Sequence, residues 1–142
     1  MTNETMVTLR GNVGGDVALR QAGEQVVANF RIACTPRRFH RKTEEWVDGE
    51  TQWYTVNAWR HLGEHCSRSL RRGDPVVVQG RLSQRSYINK NNVEVTALEV
   101  EALLVGHDLS KGVSVFTRRP AQQPRPEPSP ASPEAEATAT AA

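Results

Sequence analysis

The stretch QWYTVNAWRHLGEHCSRSLRRGDP, residues 52–75, decides the fold, because its hydrophobic period changes partway along. Gln52 to Trp59 is rich in Trp, Tyr, Thr and Val, the residues that fit a pleated surface, and reads as a strand. Trp53, Thr55, Asn57 and Trp59 then share one face, and Tyr54, Val56 and Ala58 the other, which suits a core better. Leu62, Cys66 and Leu70 fall four apart, which gives a short helix one narrow apolar stripe. Gly73, after Arg71 and Arg72, sits where such a helix stops, and Pro75 opens a new strand.

Working outward, the pattern of two dominates. Val7, Leu9, Gly11 and Val13 alternate with polar residues until Gly14-Gly15-Asp16 breaks the strand. Gln21 to Gln25 reads as a turn, and a second strand runs over Val26, Ala28, Phe30 and Ile32, ended by Pro36. Arg37 to Thr51 is polar and turn-rich, with Asp48-Gly49 as a hairpin signal. A fourth strand covers Val76 to Tyr87, Asn89 to Asn92 is its turn, and a fifth strand starts at Val93. The apolar phase of that last strand slips from odd at Val95 to even at Leu98, which predicts a bulge near Thr96 and Ala97. The expected fold is all-β: three strands, one short helix, two strands, closing into a five-stranded OB-fold barrel with the helix at one end.

The domain is expected over residues 1–106. After Pro120 the chain is Pro, Ala, Ser, Thr and Glu with almost no large apolar residue, so 120–142 is expected to be a disordered tail. The net charge is +2; the tail carries about −2 of charge, which leaves about +4 on the remainder. No apolar run approaches the roughly 18 residues that span a bilayer, and the N-terminus lacks a signal pattern, so a cytoplasmic protein is expected. Cys34 and Cys66 fit that setting better than a disulfide framework.

The aromatic residues point to function. Phe39 lies within Arg37-Arg38-Phe39-His40-Arg41-Lys42; Trp53 and Trp59 share a strand face; Tyr87 follows Arg81 and Arg85 at a hairpin tip. Unpaired bases expose flat faces on which rings stack, and arginines hold the phosphates between them. Taken singly, each feature has a plainer reading: tryptophans on a strand are more often core, basic loops more often solvated, and a hairpin tyrosine more often a stabiliser. Their joint occurrence on one small barrel favours single-stranded nucleic acid. His61-Leu62-Gly63-Glu64-His65 matches the H-x-x-E-H pattern of a zinc peptidase group, with Cys66 beside it. The helix is short and no third ligand helix follows, so a polar helix face is preferred. No catalytic residue, metal or cofactor is expected.

These residues resemble the bacterial single-stranded DNA-binding protein family over Val7 to Val105. The resemblance rests on Gly11-Asn12-Val13-Gly14, Val27-Ala28-Asn29-Phe30, Trp53 to Leu62, Leu70-Arg71-Arg72-Gly73 and Gly80-Arg81-Leu82 in order. It implies an OB-fold homotetramer around which single-stranded DNA wraps, without enzymatic activity. By position it implies base stacking at Phe39, Trp53, Trp59 and Tyr87, with Arg37, Arg38, Arg41, Arg81 and Arg85 at the phosphates. It further implies subunit contacts at Val7, Leu9 and Tyr54. The piece from Thr35 through Gly49 looks like actinobacterial members, in which a segment after the fifth strand clamps neighbouring subunits; here that is 107–119, with Val113 and Val115 between Ser114 and Phe116. Family members active in replication end in an acidic tip that recruits other enzymes, and residues 136–142 read EATATAA instead. A specialised, nucleoid-associated member with few tip-dependent partners is therefore expected, in recombination, competence, repair or chromosome segregation. The alternative is an OB-fold primosome or protein-interaction subunit with weak nucleic-acid affinity.

Overall fold

The computed structural model describes residues 3–120, so the tail reading falls, from residue 121 on, outside the described residues. In chain order the elements are β1 (Thr5–Val13), β2 (Ala18–Ala22), β3 (Gln25–Cys34), β4 (Arg37–His40), β5 (Glu45–Asp48), β6 (Gln52–Trp59), α1 (Arg60–Ser69), β7 (Pro75–Ile88) and β8 (Glu94–His107). β1 pairs with β7, β7 with β8, β8 with β6, and β6 with β3. β3 returns to β1 through Asn12 opposite Ala33 and Val13 opposite Ile32. The pairings therefore run round a closed ring of five strands, as the OB layout requires, with β2 added outside on β3. All ring contacts are antiparallel except β6 with β8, which is parallel because α1 and β7 lie between them in the chain.

The interior is filled by the inward-facing residues of each strand: Leu9 and Val13 from β1, Ala28, Phe30 and Ile32 from β3, Val56 and Ala58 from β6, Val76 and Val78 from β7, and Val100 from β8. α1 adds Cys66, and Leu70 at its end, to this core, with Leu62 packed against it. The stripe read from the sequence is thus the buried face of the helix. Gly73, at φ +92°, makes the turn from the helix toward β7, a conformation that costs a side-chain-bearing residue.

Three local expectations are corrected. Gln21 to Gln25 is not one turn: β2 and β3 form a hairpin whose turn is Gly23-Glu24, with Gly23 at φ +69°. β2 is an outer strand with four of its five residues exposed, so no alternation marks it in the sequence. Asp48-Gly49 is not the turn of the β4–β5 hairpin; that turn is Arg41 to Glu44, and Gly49 N–H instead donates to the Pro36 carbonyl at 2.6 Å across the hairpin's open base. The bulge does not lie near Thr96 and Ala97, where the β7–β8 register is unbroken. Gln79 faces Leu104 while Gly80 faces Ala102, so Leu103 is the extra residue. That bulge turns the inward parity of β8 from Val100 and Ala102 to Val105. Gln84 to Ile88 are exposed, so the valines of this outer hairpin have no core to keep phase with. Among the described residues no helix is long and apolar enough to cross a membrane.

Candidate nucleic-acid interface

Residues paired across a sheet share a face, so the strand register maps the outer surface of the ring. One row runs Arg31 on β3, Thr55 on β6, Glu99 on β8 and Ser83 on β7; the next runs Asn29, Asn57, Glu101 and Arg81. Trp53 and Trp59 flank these rows along β6. They are 43% and 38% exposed, while Val56 and Ala58 on the other face are fully buried, so both rings lie at the surface and not in the core. Six residue steps along β6 separate the two rings, about 20 Å at the rise of a strand.

Each tryptophan is held. The Trp59 indole N–H donates to Glu101 Oε1 at 2.8 Å, and Asn57 Nδ2 donates to Glu101 Oε2 at 3.0 Å. The chain of bonds continues through Asn29 Nδ2 donating to Asn57 Oδ1 and Arg20 Nε donating to Asn29 Oδ1 at 2.8 Å. Trp53 lies under Arg31, whose Cζ is 4.4 Å from the ring centroid. Its six-membered ring lies so close to Gly14 that a Cβ there would approach it to 2.5 Å.

Phe39 stands on the separate β4–β5 sheet, directly opposite Trp46, with ring centroids 5.5 Å apart at 64°. Trp46 is 61% exposed, more than any of the four predicted stacking residues, and was missed by position-matching. The signal that could have found it is its cross-strand placement opposite Phe39. Tyr87 lies far out on the β7–β8 hairpin, 47% exposed, with Arg85 Cζ 5.8 Å from its centroid. Among the described residues, no ring contact joins Phe39, Trp53, Trp59 and Tyr87 to one another.

Several predicted arginines already have carboxylate partners. Arg37 pairs with Asp48 at 3.2 Å, Arg81 with Glu4 at 3.5 Å, and Arg85 with Glu99 at 3.2 Å. Arg38 and Arg41 are exposed on the β4–β5 hairpin. The Arg37–Asp48 and Arg81–Glu4 pairs are exposed at both partners, and such surface pairs are weak, whereas the Glu99 side chain is 18% exposed. Glu99 and Glu101 on the outer face, and Arg31 above Trp53, were not anticipated.

Of the predicted subunit-contact residues, Leu9 is buried in the chain's own core, and Val7 and Tyr54 pack against it half-buried. β1 pairs with β7 from Thr5 to Asn12, but its other edge pairs with β3 only at Asn12 and Val13. His61 and His65 are exposed with ring centroids 6.1 Å apart, whereas Cys66 is buried, its thiol pushed up to about 11 by that burial. The helix thus separates the cysteine from the histidines. Among the described residues no three metal-ligating side chains converge. Cys34 and Cys66 are both free thiols.

The profile of the single-strand binding protein family matches residues 4–108. This chain belongs to that family. The family is one of DNA-binding proteins without enzymatic activity. Single-stranded DNA-binding protein 2 of Streptomyces coelicolor is 42% identical over 123 residues, covering 86% of this chain and 62% of that protein. The single-stranded DNA-binding protein of Corynebacterium glutamicum is 43% identical over 118 residues, covering 82% of this chain and 52% of that protein. The chain therefore spans between half and two thirds of the length of these relatives. Among solved structures, the small single-stranded DNA-binding protein from Streptomyces coelicolor matches with a TM-score of 0.73 at 39% identity, over 78% of this chain and 100% of that one. The second such protein from Mycobacterium smegmatis, SSBb, matches with a TM-score of 0.62 at 32% identity, over 82% and 100%. Family and fold agree with the resemblance drawn from the sequence.

Proposed function

We propose that this chain binds and covers single-stranded DNA without reading its sequence. The observation that carries the proposal is the set of solvent-exposed rings, Phe39, Trp53, Trp59 and Tyr87, on a surface that also presents arginines. Bases stack on such rings, and Arg37, Arg38, Arg41, Arg81 and Arg85 meet the phosphates. The relatives' own names support the same ligand.

Titration with oligo-dT tests this. Tryptophan fluorescence is expected to quench, and affinity to fall with salt along a log–log line of slope about −0.7 per phosphate neutralised. Trp53→Ala and Trp59→Ala are each expected to weaken binding by about 1–3 kcal/mol. No quenching, with no retention of the oligonucleotide at moderate salt, would overturn the proposal and favour a protein-interaction subunit with weak nucleic-acid affinity. That second reading draws on the ion pairs that already engage Arg37, Arg81 and Arg85.

The proposal includes a homotetramer. The open edge of β1 supports strand pairing between subunits near Val7 and Leu9, with Tyr54 at a neighbouring contact. Val113, Val115 and Phe116 are 98%, 91% and 81% exposed, which supports a clamp by residues 107–119 on an adjacent subunit. We place the protein in the cytoplasm at the nucleoid, in a role beside the main replication member. Native mass measurement with and without poly-dT tests the assembly, and a deletion strain that replicates normally but is impaired in recombination or repair tests the role.

A further inference from the structure

A hollow of about 330 Å³ opens beside Trp53, between the loop after β1 and the outer faces of β3 and β6. Asn29, Arg31 and Thr55 line it from the strands, and Gly14 to Asp16 line it from the loop. Gly14 N–H donates to the Arg31 carbonyl at 2.8 Å, which ties the loop to β3 at this point. The same glycine leaves room for the Trp53 ring, so loop, ring and arginine are held as one unit.

Arg31 differs from the other cations of this face. Arg81 and Arg85 are each engaged by a carboxylate, and Arg20 by Asn29. Among the described residues, the Arg31 guanidinium makes no ion pair; it is exposed and rests on the Trp53 ring at 4.4 Å. Two carboxylates lie near its position. Glu99, in the same cross-sheet row, is bonded to Arg85; Asp16 lines the opposite, loop side of the hollow. A guanidinium stacked on an indole keeps its N–H edge free for a phosphate, and it is less hydrated than an ammonium.

We propose that Arg31 is a DNA-binding residue that completes a nucleotide subsite at Trp53. It neutralises the phosphate of the nucleotide whose base stacks on Trp53, with the sugar in the adjoining hollow and the Thr55 hydroxyl offering a polar contact. This rests on the single-stranded DNA binding proposed above.

The test is a salt series with oligo-dT short enough for one barrel, on the order of ten nucleotides. Removing one phosphate contact with Arg31→Gln is expected to make the log–log slope shallower by about 0.7, which means binding weaker by about eightfold at about 0.05 M salt and about threefold at about 0.2 M. Arg31→Lys keeps the charge and is expected to restore the slope. Arg10→Gln, at a cation held by Asp108 and outside the proposed phosphate contacts, is expected to leave the slope unchanged. Circular dichroism of each variant checks that these exposed substitutions leave the fold intact. A parent-like slope in Arg31→Gln, or a slope that Arg31→Lys does not restore, overturns the assignment. Failure of the parent protein to bind overturns instead the function on which the inference rests.

Discussion

Glu101 lies on the face proposed to hold DNA, where a carboxylate should repel phosphates, yet it holds Trp59 in place. The perturbation that separates these effects is a pair of substitutions, Glu101→Gln and Glu101→Ala. Both remove the charge, but glutamine keeps an amide oxygen able to accept from the Trp59 indole. That bond is 2.8 Å long and its acceptor is charged. In the glutamine variant the acceptor is a neutral amide oxygen, and such bonds contribute roughly 0.5–1.5 kcal/mol net, so about 1 kcal/mol orders this ring, which is 38% exposed. One kcal/mol is about fivefold in a dissociation constant. Fluorescence anisotropy with a short labelled oligo-dT at fixed salt measures both variants, each also in a Trp59→Phe background. Glu101→Gln is expected to bind more tightly than the parent, and Glu101→Ala about fivefold more weakly than Glu101→Gln. In the Trp59→Phe background, which has no indole N–H, the gap between the two is expected to close. Equal affinities for Glu101→Ala and Glu101→Gln would refute the ordering of Trp59. A gap that survives Trp59→Phe would assign the effect to Asn57, which Glu101 also holds at 3.0 Å.

Two further predictions follow from residues outside the barrel's outer face. Trp46→Ala is expected to weaken DNA binding by about 1 kcal/mol, at the lower end for a stacking residue, because Trp46 presents a ring 61% exposed beside Phe39; an unchanged dissociation constant would remove Trp46 from the binding surface. Cys66 affects stability at high pH. Burial holds its thiol up to about 11, against an ordinary value of 9.0, so between about pH 9 and 11 the unfolded chain releases a proton that the folded chain keeps. Stability is expected to fall as pH rises through that window, by up to about 1.4 kcal/mol per pH unit. Urea midpoints followed against pH check this; a Cys66→Ala variant that loses stability as steeply as the parent would show that the slope has another source.

What the sequence determined alone was whatever depends on local periodicity against a buried core. Leu9 and Val13, Phe30 and Ile32, Val56 and Ala58, and Val76 and Val78 each repeat at two because one face must be apolar, and each proved buried. Leu62, Cys66 and Leu70 repeat at four for the same reason on a helix. The exposed tryptophans were legible as the other phase of β6. Features without a core to enforce a pattern were not legible. β2 and the outer β7–β8 hairpin are largely solvated, so composition misplaced one turn and one bulge. The β4–β5 turn is set by Phe39 opposing Trp46, a pairing that overrides the local preference of Asp48-Gly49. Only the tertiary structure could place Glu101 against Trp59, 42 residues apart, or Arg31 over Trp53, 22 apart. β3, β6 and β8 meet side by side only when the ring closes, and the cross-strand rows that follow set which charges surround each ring.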